Sequence, residues 1–255
     1  MITREKLKDY AKIRSLNLGQ AEKDYFQNVL LFILYQHYGK TLIFKGGTAL
    51  NKCYGSRRFS EDLDFTSSKE FDILVIERGL KRFKVDFEIT SRKYGVGLKV
   101  VLRLKGPLYT GARYSLCKLV IDVSFREKVL LTPVVKTLGS FMEEIPEFDV
   151  FVMREKEILA EKFRAILTRT RARDVYDLWF LLKRHVPVDL DLVEEKLKFH
   201  NLHWDKNKFL VAIERVSSIW ENELRTSVKL LPPFDTVLNE IKREINDVLR
   251  IDWPL

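Results

Sequence analysis

Two glycines and two aspartates, close together in the chain, are the residues best suited to chemistry. Residues 44–65 read FKGGTALNKCYGSRRFSEDLDF, with Gly46 and Gly47 after a short apolar run and Asp62 and Asp64 in the apolar segment DLDF. A glycine pair lets the backbone approach a ligand closely, and the amides at a helix start attract phosphate. Paired carboxylates suit a divalent metal ion beside those phosphates. The spacing therefore predicts phosphate chemistry.

The two aspartates are predicted to share one face of a strand. Alternate strand residues point the same way, so Leu63 and Phe65 take the opposite, apolar face. Two like charges this close repel each other unless a cation or hydrogen bonds compensate. Mg²⁺ or Mn²⁺ would do so, since such ions prefer oxygen ligands and retain waters and substrate phosphates. The alternative is a solvent-exposed strand face that tolerates acids.

A third carboxylate is predicted on a neighbouring strand, within LCKLVIDVSF. The apolar face of that strand is formed by Leu119, Ile121, Val123 and Phe125. Asp122 lies on the other face, and an acid inside an apolar strand is costly unless it is paired or bound to metal. Three carboxylates from two strands would form a two-metal site for phosphoryl transfer. An exposed strand face remains the alternative for Asp122 as well.

The turn Lys45-Gly46-Gly47-Thr48 lies between a predicted strand and a predicted helix. Its amides, the positive end of the helix and the Thr48 hydroxyl would bind the β- and γ-phosphates of a nucleoside triphosphate (NTP). The GxxxxGK[ST] spacing of a Walker loop is absent, so the turn gains its meaning from the DxD segment that follows.

Two further residues near the aspartates are candidates for nucleotide contact. Ser60 lies two residues before Asp62, where it would touch phosphate or be an ordinary loop serine. Arg58, beside Arg57, would steer nucleotide or RNA, or be simply an exposed arginine.

Composition is typical of a soluble globular protein, with 46% apolar and 32% charged residues in 255. No run of about 18 apolar residues predicts a membrane span. The charged first residues and the presence of only two cysteines predict a cytoplasmic protein and not a disulfide-rich, secreted one. A net charge of +9 favours an RNA or DNA partner, although charge-rich chains also occur where ion-pair networks support thermal stability.

Periodicity predicts an α+β fold with a mixed β-sheet core between helices. The predicted elements are helices over 2–38, a strand at 41–45, a helix through Cys53, the DLDF strand, a helix over 70–82, strands between 84 and 125, and a strand at Phe148–Val152. After that the pattern is helical. We expect N-terminal helices plus core over 1–152 and a helical C-terminal domain over 153–255.

One lysine of the C-terminal region lies on an apolar helix stripe. The stripe in EILAEKFRAILTRTRARDVYDLWFLL is formed by Ile158, Leu159, Phe163 and Ile166. Lys162 falls within it, so this lysine would either extend to the surface or project into a cleft beside the metal site and bind triphosphate.

Two aspartates follow Lys162. Asp174 would N-cap the next helix. Asp177 has predicted buried neighbours and needs a basic partner, for which Arg173 and Lys162 are the candidates.

These motifs together resemble a known superfamily. GGTAL followed by SEDLDF resembles the nucleotidyltransferases, whose shared pattern is a GG or GS turn opening a helix and then DxD. The fuller pattern FKGGTAL…RxSxDLDF is similar to the AbiEii/AbiGii toxin family, the nucleotidyltransferase toxins of type IV toxin–antitoxin and abortive-infection systems. The order continues with an IDV strand and an RxRDxxDL motif, and covers most of residues 41–182.

The resemblance implies a nucleotidyltransferase-like core and transfer of a nucleoside monophosphate (NMP) from an NTP to an acceptor hydroxyl. It places Lys162, with either Asp174 or Asp177, in the active site. With the basic charge, it favours RNA as acceptor, in particular a tRNA 3′ end. It also implies a toxin neutralised by a separate antitoxin protein.

Three alternatives remain at this point. The acceptor hydroxyl could belong to a protein. The fold could bind nucleotide or RNA without turnover, although retention of all three acids argues against that. A metal-dependent nuclease could use the same acids, but it needs no triphosphate cradle.

Overall fold

The chain forms two compact units. The computed structural model describes residues 1–139 and 145–251. The first unit comprises Met1–Cys53 and Ser60–Met153, and the second comprises Tyr54–Phe59 and the chain from Arg154 onward. No helix in the described ranges is long and apolar enough to cross a membrane.

The helices of the first part of the chain are α1 (Arg4–Ile13), α2 (Leu18–Tyr38), α3 (Gly46–Tyr54) and α4 (Ile73–Arg82). Helix α2 begins with a capping box, in which Asn17 and Gln20 satisfy each other's backbone amides. It ends at Gly39, whose φ of 48° suits glycine.

In the described part of the chain, seven strands form one mixed sheet in the order β3-β4-β5-β2-β1-β7-β6. The strands are β1 (Leu42–Lys45), β2 (Leu63–Ser67), β3 (Phe87–Tyr94), β4 (Gly97–Leu104), β5 (Cys117–Ser124), β6 (Val134–Leu138) and β7 (Phe148–Val152). Strands β1 and β7 are parallel, as are β2 and β5, and the other neighbours are antiparallel. The α+β prediction is confirmed, but β6 is an additional strand that the sequence did not predict.

One face of the sheet is covered and carries the core. Along β5 the side chains alternate between the buried Leu119, Ile121 and Val123 and more exposed neighbours. Helix α2 packs on β5 and β7, which accounts for this burial. The acids therefore lie on the sheet face opposite the α2 core.

The second unit is helical. Its helices are α5 (Glu155–Thr168), α6 (Ala172–Lys183), α7 (Leu190–Lys198), α8 (Lys206–Glu214), α9 (Trp220–Leu224) and α10 (Phe234–Ile251). Asp189 and Asp205 cap α7 and α8 by accepting backbone hydrogen bonds. Phe163 and Phe209 stack in the core with ring centroids 4.6 Å apart.

Candidate active site

The carboxylates of the first unit lie on two neighbouring strands. Strand β2 is parallel to β5, and their register pairs Asp64 with Asp122. Asp62 immediately precedes β2, and all three acids are half-buried. Neighbouring strands are about 4.8 Å apart, so paired carboxylates are within reach of one cation. The predicted placement of Asp122 beside the DLDF strand is confirmed, and its metal-binding role stays a prediction.

Gly46 is required where it stands. Its φ is +75°, and a Cβ at this position would lie 2.5 Å from Oδ2 of Asp64. A side chain would both strain the backbone and collide with the carboxylate. Helix α3 begins at this glycine, so free amides at the helix start lie next to Asp64. Gly47 is the second residue of that helix.

The hydroxyl of Thr48 has a different role from the one expected. Thr48 is fully buried, and its Oγ1 donates to the backbone carbonyl of Asp62. It therefore fixes the DxD segment instead of standing open to phosphate. Buried Gln27 of α2 acts on the same segment, since its Nε2 donates to the carbonyls of Ser60 and Glu61 at 2.9 Å each. Gln27 carries no motif signal and was missed.

Lys45 is paired in register with Asp64 on the neighbouring strand. The lysine is buried, and its Nζ forms an ion pair with Glu127, which follows β5. Its positive charge is thus already matched by a carboxylate that the sequence analysis did not single out.

Asp122 accepts a hydrogen bond from Tyr94, at the end of β3. Partial burial raises the pKa of Tyr94, and the hydrogen bond to Asp122 raises it further, so the phenol keeps its proton and remains a donor. Asp122 forms no ion pair with any residue described here. Tyr94 is separated from Asp122 by 28 residues in the chain, and no periodicity signal links them.

The oxygen donors of this face fit a magnesium ion that arrives with phosphates. Within the described ranges, no three His, Cys, Asp or Glu side chains are gathered into a complete metal site. Mg²⁺ is commonly held by one or two carboxylates, with waters and phosphates completing its shell. Thr66 is two residues beyond Asp64 on the same face, and its buried Oγ1 has no hydrogen-bond partner among described residues. The face thus offers carboxylates and an unsatisfied hydroxyl.

The second unit contains a separate, buried cluster of charges. Nζ of Lys162 lies 2.9 Å from Oδ1 of Asp174 and 2.7 Å from Oδ2 of Asp177. Arg58 donates two hydrogen bonds to Asp177, at 2.8 and 2.9 Å. Arg169 donates to both oxygens of Asp174. Both aspartates are therefore in the same cluster as Lys162.

Burial and charge oppose each other in this cluster. Burial alone would raise the pKa of Asp177, but Arg58 and Lys162 outweigh it and lower that pKa. Burial would raise the pKa of Asp174 too, yet Lys162 and Arg169 lower it. Conversely, burial would lower the pKa of Lys162, and the two aspartates raise it. The groups are thus charged and mutually neutralised.

Three expectations about these residues are wrong. Arg58 is only 4% exposed, so it is not a surface arginine. Asp174 lies inside the first turn of α6, whose N-cap is Arg171, and does not cap that helix itself. Arg173 is exposed, and the partner of Asp177 besides Lys162 is Arg58, from a distant part of the chain.

A mixed sheet with a glycine turn opening a helix, and carboxylates on the two adjacent strands β2 and β5, defines a nucleotidyltransferase. Residues 30–240 match the family described as Nucleotidyl transferase AbiEii toxin, Type IV TA system. The chain belongs to this family of nucleotidyltransferase toxins.

Known proteins are similar to this chain in sequence or in structure. An uncharacterized protein of Aquifex aeolicus (strain VF5) is 27% identical over 211 residues, which are 80% of this chain and 86% of the relative. MenT4, a nucleotidyltransferase toxin from Mycobacterium tuberculosis, superimposes with a TM-score of 0.63 at 21% identity, covering 100% of this chain and 91% of its own. JHP933 from Helicobacter pylori gives 0.61 at 20% identity, covering 91% and 92%.

Proposed function

We propose that this protein transfers an NMP from an NTP to a hydroxyl of RNA, in a reaction that depends on Mg²⁺. The observation that carries the proposal is the carboxylate pair Asp64–Asp122 beside the glycine start of α3. Carboxylates next to free helix amides suit a metal-bound triphosphate, which a phosphodiester nuclease would not need.

Each group of this face has a separate task. Asp62, Asp64 and Asp122 hold the divalent cation, and the amides of Gly46 and Gly47 bind the β- and γ-phosphates. When bound, the cation neutralises negative charge that develops on the phosphates. Thr48 and Gln27 act indirectly, since they fix the backbone around Asp62.

The bond changes follow from this arrangement. The acceptor oxygen attacks the α-phosphorus of the NTP, the bond from that phosphorus to the bridging oxygen of the β-phosphate breaks, and pyrophosphate leaves. The acceptor hydroxyl gives its proton to Asp122 or to water. Because the protein forms no covalent bond, catalysis comes from positioning and electrostatics. A contribution of Lys162 to binding the triphosphate stays a prediction, since its charge is balanced by Asp174 and Asp177.

RNA is the favoured acceptor because the chain carries a net charge of +9. We take a tRNA 3′ end as the first substrate to test, in the cytoplasm. The family name refers to a toxin–antitoxin system, so we also propose that a separate antitoxin protein neutralises the activity.

The test is transfer of label. Wild-type protein and an Asp62→Asn/Asp64→Asn variant are incubated with Mg²⁺, each α-³²P-labelled NTP in turn, and total tRNA. We expect label on RNA with the wild type only, and the active NTP identifies the nucleotide. Label on protein would show a protein acceptor instead. Nucleotide binding without any transfer would contradict the proposal and favour a binding module.

A further inference from the structure

The sheet face that carries Asp122 continues into a row of basic side chains. Register pairs Asp122 with Lys99 on β4, and Lys99 with Arg92 on β3. Four residues further along the strands, Arg103 is paired with Lys118. Directly paired residues lie on the same side of a sheet, and so do residues four apart. We call Arg92, Lys99, Arg103 and Lys118 the basic face.

The charges of the basic face are not matched by carboxylates. None of the four side chains forms an ion pair or hydrogen bond with a residue of the described ranges. This differs from Lys45, Lys52 and Lys162, each of which is paired with a carboxylate. Glu88 is opposite Arg103 in the register, but it pairs with Arg113 instead.

The basic face is also open. Arg92, Lys99 and Lys118 are exposed and Arg103 is half-buried, whereas the opposite side of β4 and β5 is buried in the core. Side chains between the cations, such as Val101 and Val120, are half-buried as well. A mainly positive patch whose cations are exposed and not ion-paired raises the local concentration of anions.

The dimensions of the face favour a chain of phosphates over a single triphosphate. Strands are about 4.8 Å apart, so Lys99 and Arg92 are roughly one and two strand spacings from Asp122. Arg103 and Lys118 lie about 13 Å further along the strands, at about 3.3 Å per residue. A triphosphate held by the start of α3 cannot reach all four cations, but a polynucleotide can.

We propose that the acceptor RNA lies across the basic face, with its phosphates on Arg92, Lys99, Arg103 and Lys118 and its reacting hydroxyl at Asp122. This inference rests on the proposed function and assigns the acceptor to one part of the first unit. The contacts are to backbone phosphates, so they position the RNA without reading its sequence.

The test compares two triple variants that lose the same charge. Lys99→Gln/Arg103→Gln/Lys118→Gln alters the basic face, and Arg4→Gln/Lys8→Gln/Lys12→Gln alters exposed residues of α1. Binding of tRNA is measured by filter retention over a salt series. NTP is left out, so no transfer takes place. We expect the first variant to bind at least 10-fold more weakly than the α1 variant. A plot of the logarithm of its binding constant against the logarithm of the salt concentration should have a slope smaller in magnitude by about two. Three lost phosphate contacts at about 0.7 each account for this change.

The possible results separate the inference from the function it rests on. Equal tRNA binding by the two variants would overturn the inference, even where the wild type labels RNA. A loss of NTP affinity with unchanged tRNA binding would also overturn it, because the cations would then serve the nucleotide. The proposed function is tested separately by the labelling assay, in which absence of label on RNA with the wild type would contradict it. The binding comparison needs no catalysis and therefore tests the inference alone.

Discussion

The aspartates of the two units differ in their burial and in their partners. In the first unit, Asp64 and Asp122 are half-buried on the sheet face opposite the α2 core, and Asp122 accepts a hydrogen bond from an uncharged phenol. In the second unit, Asp174 and Asp177 are buried, and each is bonded to two basic side chains. The second pair has its charge neutralised by the protein itself.

This difference indicates which acids can work on a substrate. Asp122 forms no ion pair with any residue of the described ranges, so it can accept a metal ion without first breaking one. Breaking a buried pair instead leaves an uncompensated charge, which is strongly destabilising. Asp122 is therefore suited to metal binding, whereas Asp174 and Asp177 are suited to holding α5, α6 and the Tyr54–Phe59 segment together.

The largest effect is expected from Asp177→Asn. Loss of this charge leaves Arg58 and Lys162 buried without their main partner, so the free energy of unfolding should fall by about 3–5 kcal/mol. Chemical denaturation would measure the change, with Asp191→Asn on the exposed start of α7 as the control. A loss no greater than that of the control would mean that the cluster is not structural.

The same cluster should affect stability at low pH. The folded pKa values of Asp174 and Asp177 are lowered. Their stabilisation is therefore present above the unfolded pKa of about 3.9 and is lost as pH falls through the folded values. The acid limb of a pH–stability curve should be less steep for Asp177→Asn than for the wild type.

The next effect concerns activity. Gly46 and Gly55 have similar φ values, +75° and +77°, but only at Gly46 would a Cβ collide with Asp64. Both alanine variants should lose stability through backbone strain, and Gly46→Ala should lose more because of the collision. Transfer activity should fall at least 100-fold in Gly46→Ala, about 2.7 kcal/mol in barrier height, and little in Gly55→Ala. Equal activities of the two variants would show that the Gly46–Asp64 approach is unimportant.

A smaller effect is expected from Thr48→Val. This change removes the hydrogen bond that the Thr48 hydroxyl donates to the carbonyl of Asp62 and should cost about 1–2 kcal/mol of stability. Thr66→Val is the matched control, since the Thr66 hydroxyl has no hydrogen-bond partner among described residues and its removal should be nearly neutral. Thermal unfolding of both variants measures the difference. A larger loss of stability in Thr66→Val than in Thr48→Val would contradict the structural role assigned to the Thr48 hydroxyl.

The smallest effect is expected from Tyr94→Phe. The tyrosine is partly exposed, and its hydrogen bond to Asp122 involves one uncharged partner. Its loss should change the free energy of unfolding by less than about 1.5 kcal/mol, in contrast to Asp177→Asn. A loss as large as that of Asp177→Asn would remove the distinction between the two regions.

The sequence predicts the local features of the first site well. Alternation along DLDF and LCKLVIDVSF is enough to assign Asp64 and Asp122 to one face, because the strand period of two is unambiguous when one face is apolar. The turn at the glycine pair is also predictable, since it depends only on the neighbouring strand and helix in the sequence. Strand β6 was missed because VVKTL is short and directly follows Pro133.

Contacts between distant residues were not predictable in the same way. Arg58 and Asp177 are 119 residues apart in the chain, and periodicity cannot say which arginine meets a buried aspartate. The same limit applies to Gln27, which holds carbonyls more than 30 residues away. The basic face is intermediate, since its residues are visible in the sequence but their alignment with Asp122 depends on the register of β4 and β5.

The most direct test of the central claim is binding of Mn²⁺, followed by electron paramagnetic resonance, in the presence of a non-hydrolysable NTP. Mn²⁺ should bind more tightly in the presence of wild-type protein and nucleotide together than in the presence of the nucleotide alone. Folded Asp177→Asn should retain that gain, whereas Asp62→Asn/Asp64→Asn should lose it. Retention of tight Mn²⁺ binding by the double variant would contradict the assignment of the metal to the carboxylates of the first unit.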